Sequence, residues 1–223
     1  MHEETGAGQN GQQGGPRFAI VVPMHNEAPN VAPLVGRILA ACAPLGPFEL
    51  IVVDDGSTDT TRAISRDLAA RHPELRVIAH ARAGGQSAAV HSGVLAARAP
   101  LIATLDGDGQ NPPEELPALL APLLAADAPA DLGLVAGQRV ARQDSASKLL
   151  ASRAANMLRA ALLKDGTRDT GCGLKAFRRA AFLALPFFNH MHRYLPALFA
   201  RDGWAVAHVD VAHAPRAAGR SHY

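Results

Sequence analysis

The sequence predicts an α/β protein built on a mostly parallel sheet with helices on both faces. Two features of the chain lead to this class: short apolar segments alternate with segments of helical periodicity, and each apolar segment is hydrophobic along nearly its whole length. Such strands are typical of parallel sheets covered on both sides. The chain has 223 residues, 48% of them hydrophobic, so it can bury a core without disulfides or a structural metal.

The strands are predicted from apolar runs that end at proline, aspartate or glycine. The first run stops at Pro23, and the second stops at the acidic pair Asp54 and Asp55. Short apolar runs bounded in this way favour buried strands. The six predicted strands are residues 18–22, 48–53, 75–79, 101–105, 131–136 and 204–211.

The helices are predicted from apolar residues that recur three and four positions apart. The first such stripe runs from Val31 to Leu39. The fourth, from Leu116 to Leu124, follows Pro-Pro-Glu-Glu, and proline and acids suit the first turn of a helix. The other predicted helices are residues 58–71, 86–98, 145–163, 178–185 and 190–202.

Composition and charge narrow the classes of function. A formal net charge of +2 lacks the basic excess usual in nucleic-acid-binding proteins, so no nucleic-acid partner is expected. Cys42 and Cys172 are too few for a disulfide framework. The most apolar stretch, residues 116–137, is interrupted by proline and aspartate and falls short of the roughly 20 apolar residues that cross a bilayer. An intracellular protein without a secretory signal is therefore expected.

Polar residues follow three of the predicted strands, at the edge of the sheet where ligands bind in α/β folds. The sharpest signal is Asp106-Gly107-Asp108 after the fourth strand. In extended chain both carboxylates face one point, and about 5 Å apart they repel by roughly 3 kcal/mol at an effective dielectric of about 20. A hard divalent cation relieves that repulsion, and Gln110 can add an amide oxygen. The pattern predicts a Mg²⁺ or Mn²⁺ site at Asp106, Asp108 and Gln110.

The acids after the second strand suit a different task. The carboxylate of Asp54 or Asp55 can accept hydrogen bonds from a nucleobase or a ribose, and Gly56 permits a tight turn. Ser57 and Asp59 are interpreted as caps of the next helix.

In order and spacing, these motifs resemble the family 2 glycosyltransferases, most closely the dolichol-phosphate mannose synthase group and its bacterial polyprenyl-phosphate relatives. The motifs are Pro-x-x-Asn-Glu, Asp-Asp-Gly-Ser-x-Asp and Asp-x-Asp-x-Gln-x-Pro-Pro-Glu. The resemblance continues to the last residue through residues 82–89, 137–139, 169–175, 192–194 and 216–223. It implies a glycosyltransferase-A fold with a Rossmann-like nucleotide half.

The predicted domain organisation has three parts. Residues 1–15 are rich in Gly, Gln and Asn and are predicted to be a disordered tail. Residues 16–223 form a single domain. Its nucleotide-sugar-binding half is residues 16–137, and its acceptor-side half is residues 138–223.

The resemblance implies roles for individual residues. Asp54 matches the acid that contacts the nucleoside, and His25 stands where the family commonly has tyrosine. Asp108, Arg139 and Arg193 are expected to act in catalysis, the two arginines at phosphate-binding positions. The residues expected to bind the nucleotide sugar are Pro23, His25, Glu27, Asp54, Asp106, Gly107, Arg216 and His222. His222 replaces a lysine on a C-terminal closing loop, which weakens that loop as a phosphate ligand at pH 7.

The implied reaction moves a hexose of the mannose or glucose type from a GDP- or UDP-hexose to a polyprenyl or dolichyl phosphate, with inversion. The implied cofactor is Mg²⁺ or Mn²⁺. A phosphate monoester is largely ionised at pH 7, so the acceptor needs little help from a base. Asp169 is the candidate base, and its interpretation as a turn residue stays equally open. The acceptor indicates a cytoplasmic protein that associates peripherally with the membrane.

Two other classes of protein stay open. An apolar strand followed by Asp-x-Asp is also typical of haloacid-dehalogenase-like phosphatases, although Gln110 stands where those proteins need threonine or valine. A catalytically silent nucleotide-binding partner of a membrane complex is the second alternative, suggested by His222. His190, His192 and His213 are predicted not to bind metal, because their spacing does not place them on one face.

Overall fold

The computed structural model describes residues 14–140, 169 and 171–214. Its strands are β1 (Phe18–Met24), β2 (Phe48–Asp54), β3 (Leu75–Ala79), β4 (Leu101–Thr104), β5 (Leu132–Arg139), β6 (Lys175–Arg178) and β7 (Ala205–Val211). They form one sheet in the order β3-β2-β1-β4-β6-β5-β7. Every neighbouring pair is parallel except the two pairs of β6, which runs antiparallel to β4 and β5.

The helices are α1 (Ala28–Cys42), α2 (Thr61–Ala69), α3 (Gln86–Ala96), α4 (Leu116–Leu124), α5 (Arg179–Leu183) and α6 (Leu195–Arg201). Helix α2 is shorter than the predicted 58–71. The Asp59 carboxylate accepts the backbone N–H of Thr61 at 2.9 Å, which fixes the start of the helix at that residue. Residues 1–13 of the predicted tail and the predicted helix at 145–163 lie outside the described residues.

Alternate residues of the central strands pack into two cores, one on each face of the sheet. On β1, Ile20 and Val22 face the core that α1 and α4 cover. Ala19 and Val21 face the core that α3, α5 and α6 cover. All four side chains are fully buried, so the predicted mostly parallel sheet with helices on both faces is confirmed.

Strand β6 is an element that the sequence analysis missed. The sequence predicted a glycine-rich loop at residues 169–173 and a helix at 178–185, with no element between them. The strand has only four residues, and it begins with Lys175, which is 4% exposed. Lys175 interrupts the apolar run by which a buried strand is recognised in a sequence, and four residues are too few to show a periodicity. Residue 137, the predicted boundary between the two halves, lies inside β5.

Helix α1 with the turn that follows it, residues Ala28–Leu45, is long and apolar enough by length and composition to cross a membrane. From the sequence, residues 116–137 were expected to be the most apolar stretch instead. The apolar side of α1, including Val31, Leu34 and Ile38, is buried against the sheet. Arg37 lies exposed and pairs with Glu114 at 2.6 Å. Packing on the sheet therefore accounts for the hydropathy of this helix.

The fold positions the site where the strand order changes direction. Chain connections run from β1 outward through β2 and β3, and then return to β4 on the other side of β1. Such a change leaves a crevice at the carboxyl ends of the two central strands. Pro23 near the end of β1, and Leu105 and Asp106 after β4, line a pocket there.

Candidate active site

Asn26 joins the loops that follow β1 and β2. Its φ of 55° lies in the left-handed region, which asparagine tolerates better than most residues. Its backbone N–H donates to Ser57 Oγ at 2.9 Å, and its side-chain oxygen accepts the backbone N–H of Thr58 at 2.8 Å. Beside it, His25 Nδ1–H donates to the carbonyl oxygen of Asp55 at 2.8 Å. A carbonyl only accepts, so the ring proton of His25 is on Nδ1.

Glu27 anchors the start of α1. Its carboxylate accepts the Nδ2–H of Asn30 at 2.5 Å, and its backbone N–H donates to Thr61 Oγ1 at 2.9 Å. The residue is 7% exposed. The structure thus gives Glu27 a role in holding α1 to α2, and its contact with a nucleotide stays a prediction.

Asp54 and Asp55 are both fully buried, but their carboxylates point to different partners. Asp54 accepts Arg62 Nε–H at 2.6 Å and the backbone N–H of Ser57 at 3.2 Å. These contacts fix the loop after β2. The nucleoside contact expected of Asp54 stays a prediction.

Asp55 positions the loop that leads into α3. Its carboxylate accepts the backbone N–H groups of Gly84 and Gly85, each at 2.8 Å, and lies 2.7 Å from His80 Nδ1. Burial acts to raise the pKa of Asp55, but the hydrogen bonds from Gly84, His80 and Gly85 outweigh it and the net pKa is lowered. The carboxylate therefore stays ionised and keeps this loop against β2.

The Asp106 carboxylate is held from three sides. Oδ1 accepts Gln86 Nε2–H at 2.6 Å, and Oδ2 accepts Asn111 Nδ2–H at 3.0 Å. The backbone of Gly173 approaches so closely that an added Cβ would lie 2.2 Å from Oδ2. Burial and the nearby charge of Asp108 raise the pKa of Asp106.

Asp108 and Gln110 follow in the same loop. Gly107 separates the two acids, and a Cβ added there would lie 2.8 Å from the carbonyl oxygen of Pro23. Asp108 Oδ1 accepts the backbone N–H of Gln110 at 3.1 Å. The carbonyl of Gln110 accepts the N–H of Ala214 at 2.9 Å. The motif therefore lies between the end of β1 and the segment after β7.

Oxygen donors dominate this loop, which fits a hard divalent cation. Among the described residues, no three His, Cys, Asp or Glu side chains are grouped as a metal site, so an ion on Asp106 and Asp108 needs further oxygens from substrate or water. Asn111 Oδ1 is buried and has no hydrogen-bond partner in this part of the chain. A buried amide oxygen beside two carboxylates suits the same cation. The residues present fit Mg²⁺ or Mn²⁺, and Gln110 as a ligand stays a prediction.

Gly173→Ala is expected to displace the Asp106 carboxylate, because the added Cβ would lie 2.2 Å from Oδ2 and 2.4 Å from Cγ. We expect Mn²⁺ affinity, measured by calorimetry with nucleotide present, to fall about tenfold or more. Overpacking should also lower the free energy of unfolding by about 1–3 kcal/mol. Gly36→Ala is the control, since no atom beyond its chain neighbours and the backbone of its own helix lies within 4 Å of a Cβ added there. Unchanged Mn²⁺ affinity in Gly173→Ala would contradict this account.

Arg139 and Asp169 form a two-bond ion pair. Arg139 Nε–H and Nη2–H donate to Asp169 Oδ2 and Oδ1 at 2.6 and 2.8 Å. The hydrogen bond to Asp169 raises the pKa of Arg139. Asp169 Oδ1 also accepts the N–H of Gly171 at 3.2 Å, so the carboxylate orients the arginine and shapes the turn. These contacts favour the interpretation of Asp169 as a positioning residue over that of a base.

Lys175 is a residue of the site that the sequence analysis did not select. It lies on β6, lines the pocket with Asp106 and is 4% exposed. Its ammonium donates to the carbonyl of Cys172. Burial lowers the pKa of Lys175, and it outweighs the negative charges of Asp106 and Asp169, which act to raise the pKa. The feature of the sequence that could have identified Lys175 is a lysine within an apolar segment.

His192 also lines the pocket. Its Nδ1 lies 2.7 Å from Ser87 Oγ, which also accepts the backbone N–H of His192 at 3.4 Å. Burial, followed by the positive charges of Lys175 and Arg193, lowers the pKa of His192 to about 3. The ring is therefore neutral at pH 7. From the sequence this histidine was predicted not to bind metal, and the position of its ring in the site was not predicted.

The lowered pKa of His192 is expected to make the fold sensitive to acid. Below about pH 6.5 the unfolded chain takes up a proton at this residue, but the folded chain does not until the pH approaches about 3. Stability is therefore lost as the pH falls below about 6.5. We expect a loss of about 1 kcal/mol between pH 7 and pH 5, since partial solvation reduces the full linkage value.

Urea unfolding of the wild type and of His192→Asn at the two pH values measures this contribution. The wild type should lose more stability than the variant. The matched control is His190→Asn, because His190 is exposed and its φ of 67° suits asparagine. Equal losses in the wild type and in His192→Asn would contradict the assigned pKa.

The other predicted residues fall in two groups. Arg193 is exposed beside His192 at the end of the short 3-10 turn Met191–Arg193. Arg216 and His222, with the predicted closing loop, lie outside the described residues. The structure therefore brings together the residues around Asp106 and leaves the roles of Arg193, Arg216 and His222 as predictions.

A family model described as "Glycosyl transferase family 2" matches residues 19–185. The chain is 36% identical over 208 residues to the undecaprenyl-phosphate 4-deoxy-4-formamido-L-arabinose transferase of Pectobacterium carotovorum, across 92% of this chain and 62% of that protein. It is also 36% identical over 211 residues to the dodecaprenyl-phosphate galacturonate synthase of Rhizobium johnstonii, across 92% of this chain and 61% of that protein. The chain thus spans about three fifths of the length of these curated relatives.

Two solved structures show the same fold. Glucosyl-3-phosphoglycerate synthase from Mycobacterium tuberculosis, with Mn²⁺, UDP and glucosyl-3-phosphoglycerate, superposes with a TM-score of 0.69 at 23% identity, covering 92% of this chain and 74% of that one. A mannosyltransferase from Pyrobaculum calidifontis, with GDP-Man and Mn²⁺, superposes with a TM-score of 0.68 at 20% identity, covering 93% and 59%. The predicted glycosyltransferase-A fold is confirmed.

Proposed function

The chain belongs to glycosyltransferase family 2, and on that basis we propose that it transfers a hexose from a nucleotide diphosphate sugar to a polyprenyl phosphate. The observation that carries the proposal is the Asp106 carboxylate. Gln86 and Asn111 hold it beside Asp108, in the crevice where an α/β sheet of this order binds ligands. Two carboxylates so placed suit a Mg²⁺ or Mn²⁺ ion with a diphosphate.

The proposed reaction breaks the bond between the anomeric carbon and the donor diphosphate. An oxygen of the acceptor phosphate forms the new bond from the opposite face, which inverts the configuration. Negative charge develops on the leaving diphosphate, so positive groups near it lower the barrier. When bound at Asp106 and Asp108, a divalent cation would supply part of that charge.

Cationic side chains of the protein supply the remaining positive charge near the leaving diphosphate. Arg139 is oriented by its two bonds to Asp169, and Lys175 lies in the pocket wall. Arg193 is exposed next to His192, where an incoming phosphate can reach it. A phosphate acceptor is largely ionised at pH 7, so no separate base is needed. This agrees with an Asp169 carboxylate that is committed to Arg139.

The acceptor class is supported by the names of the curated relatives, an undecaprenyl-phosphate transferase and a dodecaprenyl-phosphate synthase. Solved structures of the same fold contain UDP or GDP-Man with Mn²⁺, which supports a nucleotide-sugar donor. A GDP- or UDP-hexose of the mannose or glucose type is our proposal for this chain. A lipid acceptor further implies a cytoplasmic location, peripheral on the cytoplasmic face of the membrane.

The test is a donor panel with the full chain. GDP-mannose, UDP-glucose and UDP-galacturonic acid are each incubated with Mg²⁺ or Mn²⁺ and undecaprenyl phosphate in detergent, and the lipid product is measured by mass spectrometry. We expect one donor to give product that disappears when EDTA is added. Hydrolysis of a generic phosphoester without a nucleotide sugar would indicate a phosphatase. Tight nucleotide binding with no product from any donor would indicate a catalytically silent partner.

A further inference from the structure

The first turn of α3 reaches both walls of the pocket. The side chain of Gln86 donates to Asp106 Oδ1 at 2.6 Å. The next residue, Ser87, is 4% exposed and lies 2.7 Å from His192 Nδ1 across 105 positions of sequence. The start of α3 therefore holds the Asp106 carboxylate through Gln86 and the His192 imidazole through Ser87.

The hydrogen bonds of Ser87 favour one tautomer of the His192 ring. Ser87 Oγ accepts the backbone N–H of His192 at 3.4 Å. Among the described residues the Ser87 hydroxyl has no other acceptor for its own proton, and the ring nitrogen Nδ1 lies 2.7 Å away to accept it. In a neutral ring Nδ1 is then the acceptor, so the proton is on Nε2. Burial keeps the ring neutral, since the pKa of His192 is lowered to about 3.

The Nε2–H group is available to a ligand. Among the described residues, no acceptor is hydrogen-bonded to His192 Nε2, and Nε2 is not one of the buried side-chain polar atoms that lack a hydrogen-bond partner there. Nε2 is therefore accessible, on a residue that lines the pocket. Lys175 shares that pocket with His192, and Arg193 is the next residue in sequence, so two cationic side chains act on the ring.

From this geometry we infer that His192 donates a hydrogen bond from Nε2–H to a phosphate oxygen of a bound substrate, and that Ser87 is its positioning residue. The inference rests on the proposed function. A donor that stays neutral adds a directed hydrogen bond without adding charge beside Lys175 and Arg193. The phosphate oxygen belongs either to the donor diphosphate or to the acceptor, and the two sources are separated by measurement.

The test compares two substitutions of the same residue. His192→Asn keeps an amide near the position of Nδ1 but has no group at the position of Nε2. His192→Gln can place an amide N–H near Nε2. With Mg²⁺ and farnesyl phosphate as acceptor, we expect kcat/KM to fall roughly 10- to 100-fold in His192→Asn, as for the loss of a hydrogen bond to a charged group. His192→Gln should recover a substantial part, and His190→Asn is the control.

Calorimetry of the nucleoside diphosphate and of farnesyl phosphate, each with Mg²⁺, identifies the source of the oxygen. Weaker nucleotide binding in His192→Asn assigns the contact to the donor, and weaker farnesyl phosphate binding assigns it to the acceptor. The inference is wrong if both affinities and kcat/KM stay within about twofold of His190→Asn. It is also wrong if His192→Gln is as impaired as His192→Asn.

Nitrogen-15 NMR of the histidine rings gives a readout that does not depend on activity. At pH 7 the wild type should show His192 protonated on Nε2, and Ser87→Ala should lose this fixed tautomer. A proton on Nδ1 in the wild type would overturn the inference. If the wild type binds nucleotide but transfers no sugar, the proposed function fails, while the affinities and the tautomer still decide the role of His192.

Discussion

Asp108→Asn is expected to lower the rate of sugar transfer about a thousandfold, which corresponds to about 4 kcal/mol of transition-state stabilisation. The substitution removes one of the two carboxylate charges that attract the divalent cation. It is nearly isosteric, and the amide oxygen can still accept the Gln110 N–H that Asp108 Oδ1 accepts at 3.1 Å. The loop should therefore keep its shape, and the loss should come from charge.

Two measurements distinguish a loss of the charge that attracts the cation from a change in the shape of the loop. Mn²⁺ affinity with nucleotide present should fall in parallel with the rate, and the free energy of unfolding should change by less than about 0.5 kcal/mol. Asp127→Asn is the matched control, because Asp127 is exposed in the segment between α4 and β5. Wild-type Mn²⁺ affinity in Asp108→Asn would exclude this carboxylate as a ligand.

Glu49→Ala is expected to cost about 3 kcal/mol of unfolding free energy, the largest effect on stability that we predict. Glu49 is 1% exposed. Its Oε1 accepts the backbone N–H groups of Arg98 and Ala99 at 2.6 and 3.0 Å, and its Oε2 accepts Arg76 Nη1–H at 3.0 Å. Alanine leaves the two backbone groups without an acceptor, at about 1–3 kcal/mol each.

Urea unfolding followed by circular dichroism measures the effect. Glu49→Gln keeps one oxygen for the two backbone N–H groups, so it should lose only about 1 kcal/mol. Glu74→Ala, at an exposed position just before β3, should stay within about 0.5 kcal/mol of the wild type. A loss in Glu49→Ala no larger than that of Glu74→Ala would contradict the assigned role of this carboxylate.

The fold could be predicted from the sequence wherever packing imposes a period. The apolar runs at β1 and β2 and the stripe of α1 are long enough for burial on a sheet to dictate their pattern. The shorter β6 could not be predicted, because its place in the sheet depends on pairing with β4 and β5. Such pairing is a property of distant parts of the chain and leaves no local periodicity.

Part of the candidate site could also be predicted from local sequence. Asp106 and Asp108 are two positions apart in the loop that follows β4, so their proximity follows from the local sequence. The residues around the Asp106 carboxylate could not be predicted in this way, because Gln86 comes from helix α3 and Gly173 from the segment before β6. The pairing of Ser87 with His192 spans 105 positions, and no spacing rule connects them.

The entry to α3 also determines where the chain tolerates changes in length. Asp55 fixes the backbone of Gly84 and Gly85, and a Cβ added at Gly56 would lie 2.5 Å from the backbone of Ala83. Deleting one residue here would turn the start of the helix by about 100° relative to the sheet. Gln86 and Ser87 would then both miss their partners, so insertions and deletions should be far better tolerated at the exposed stretch around Asp127.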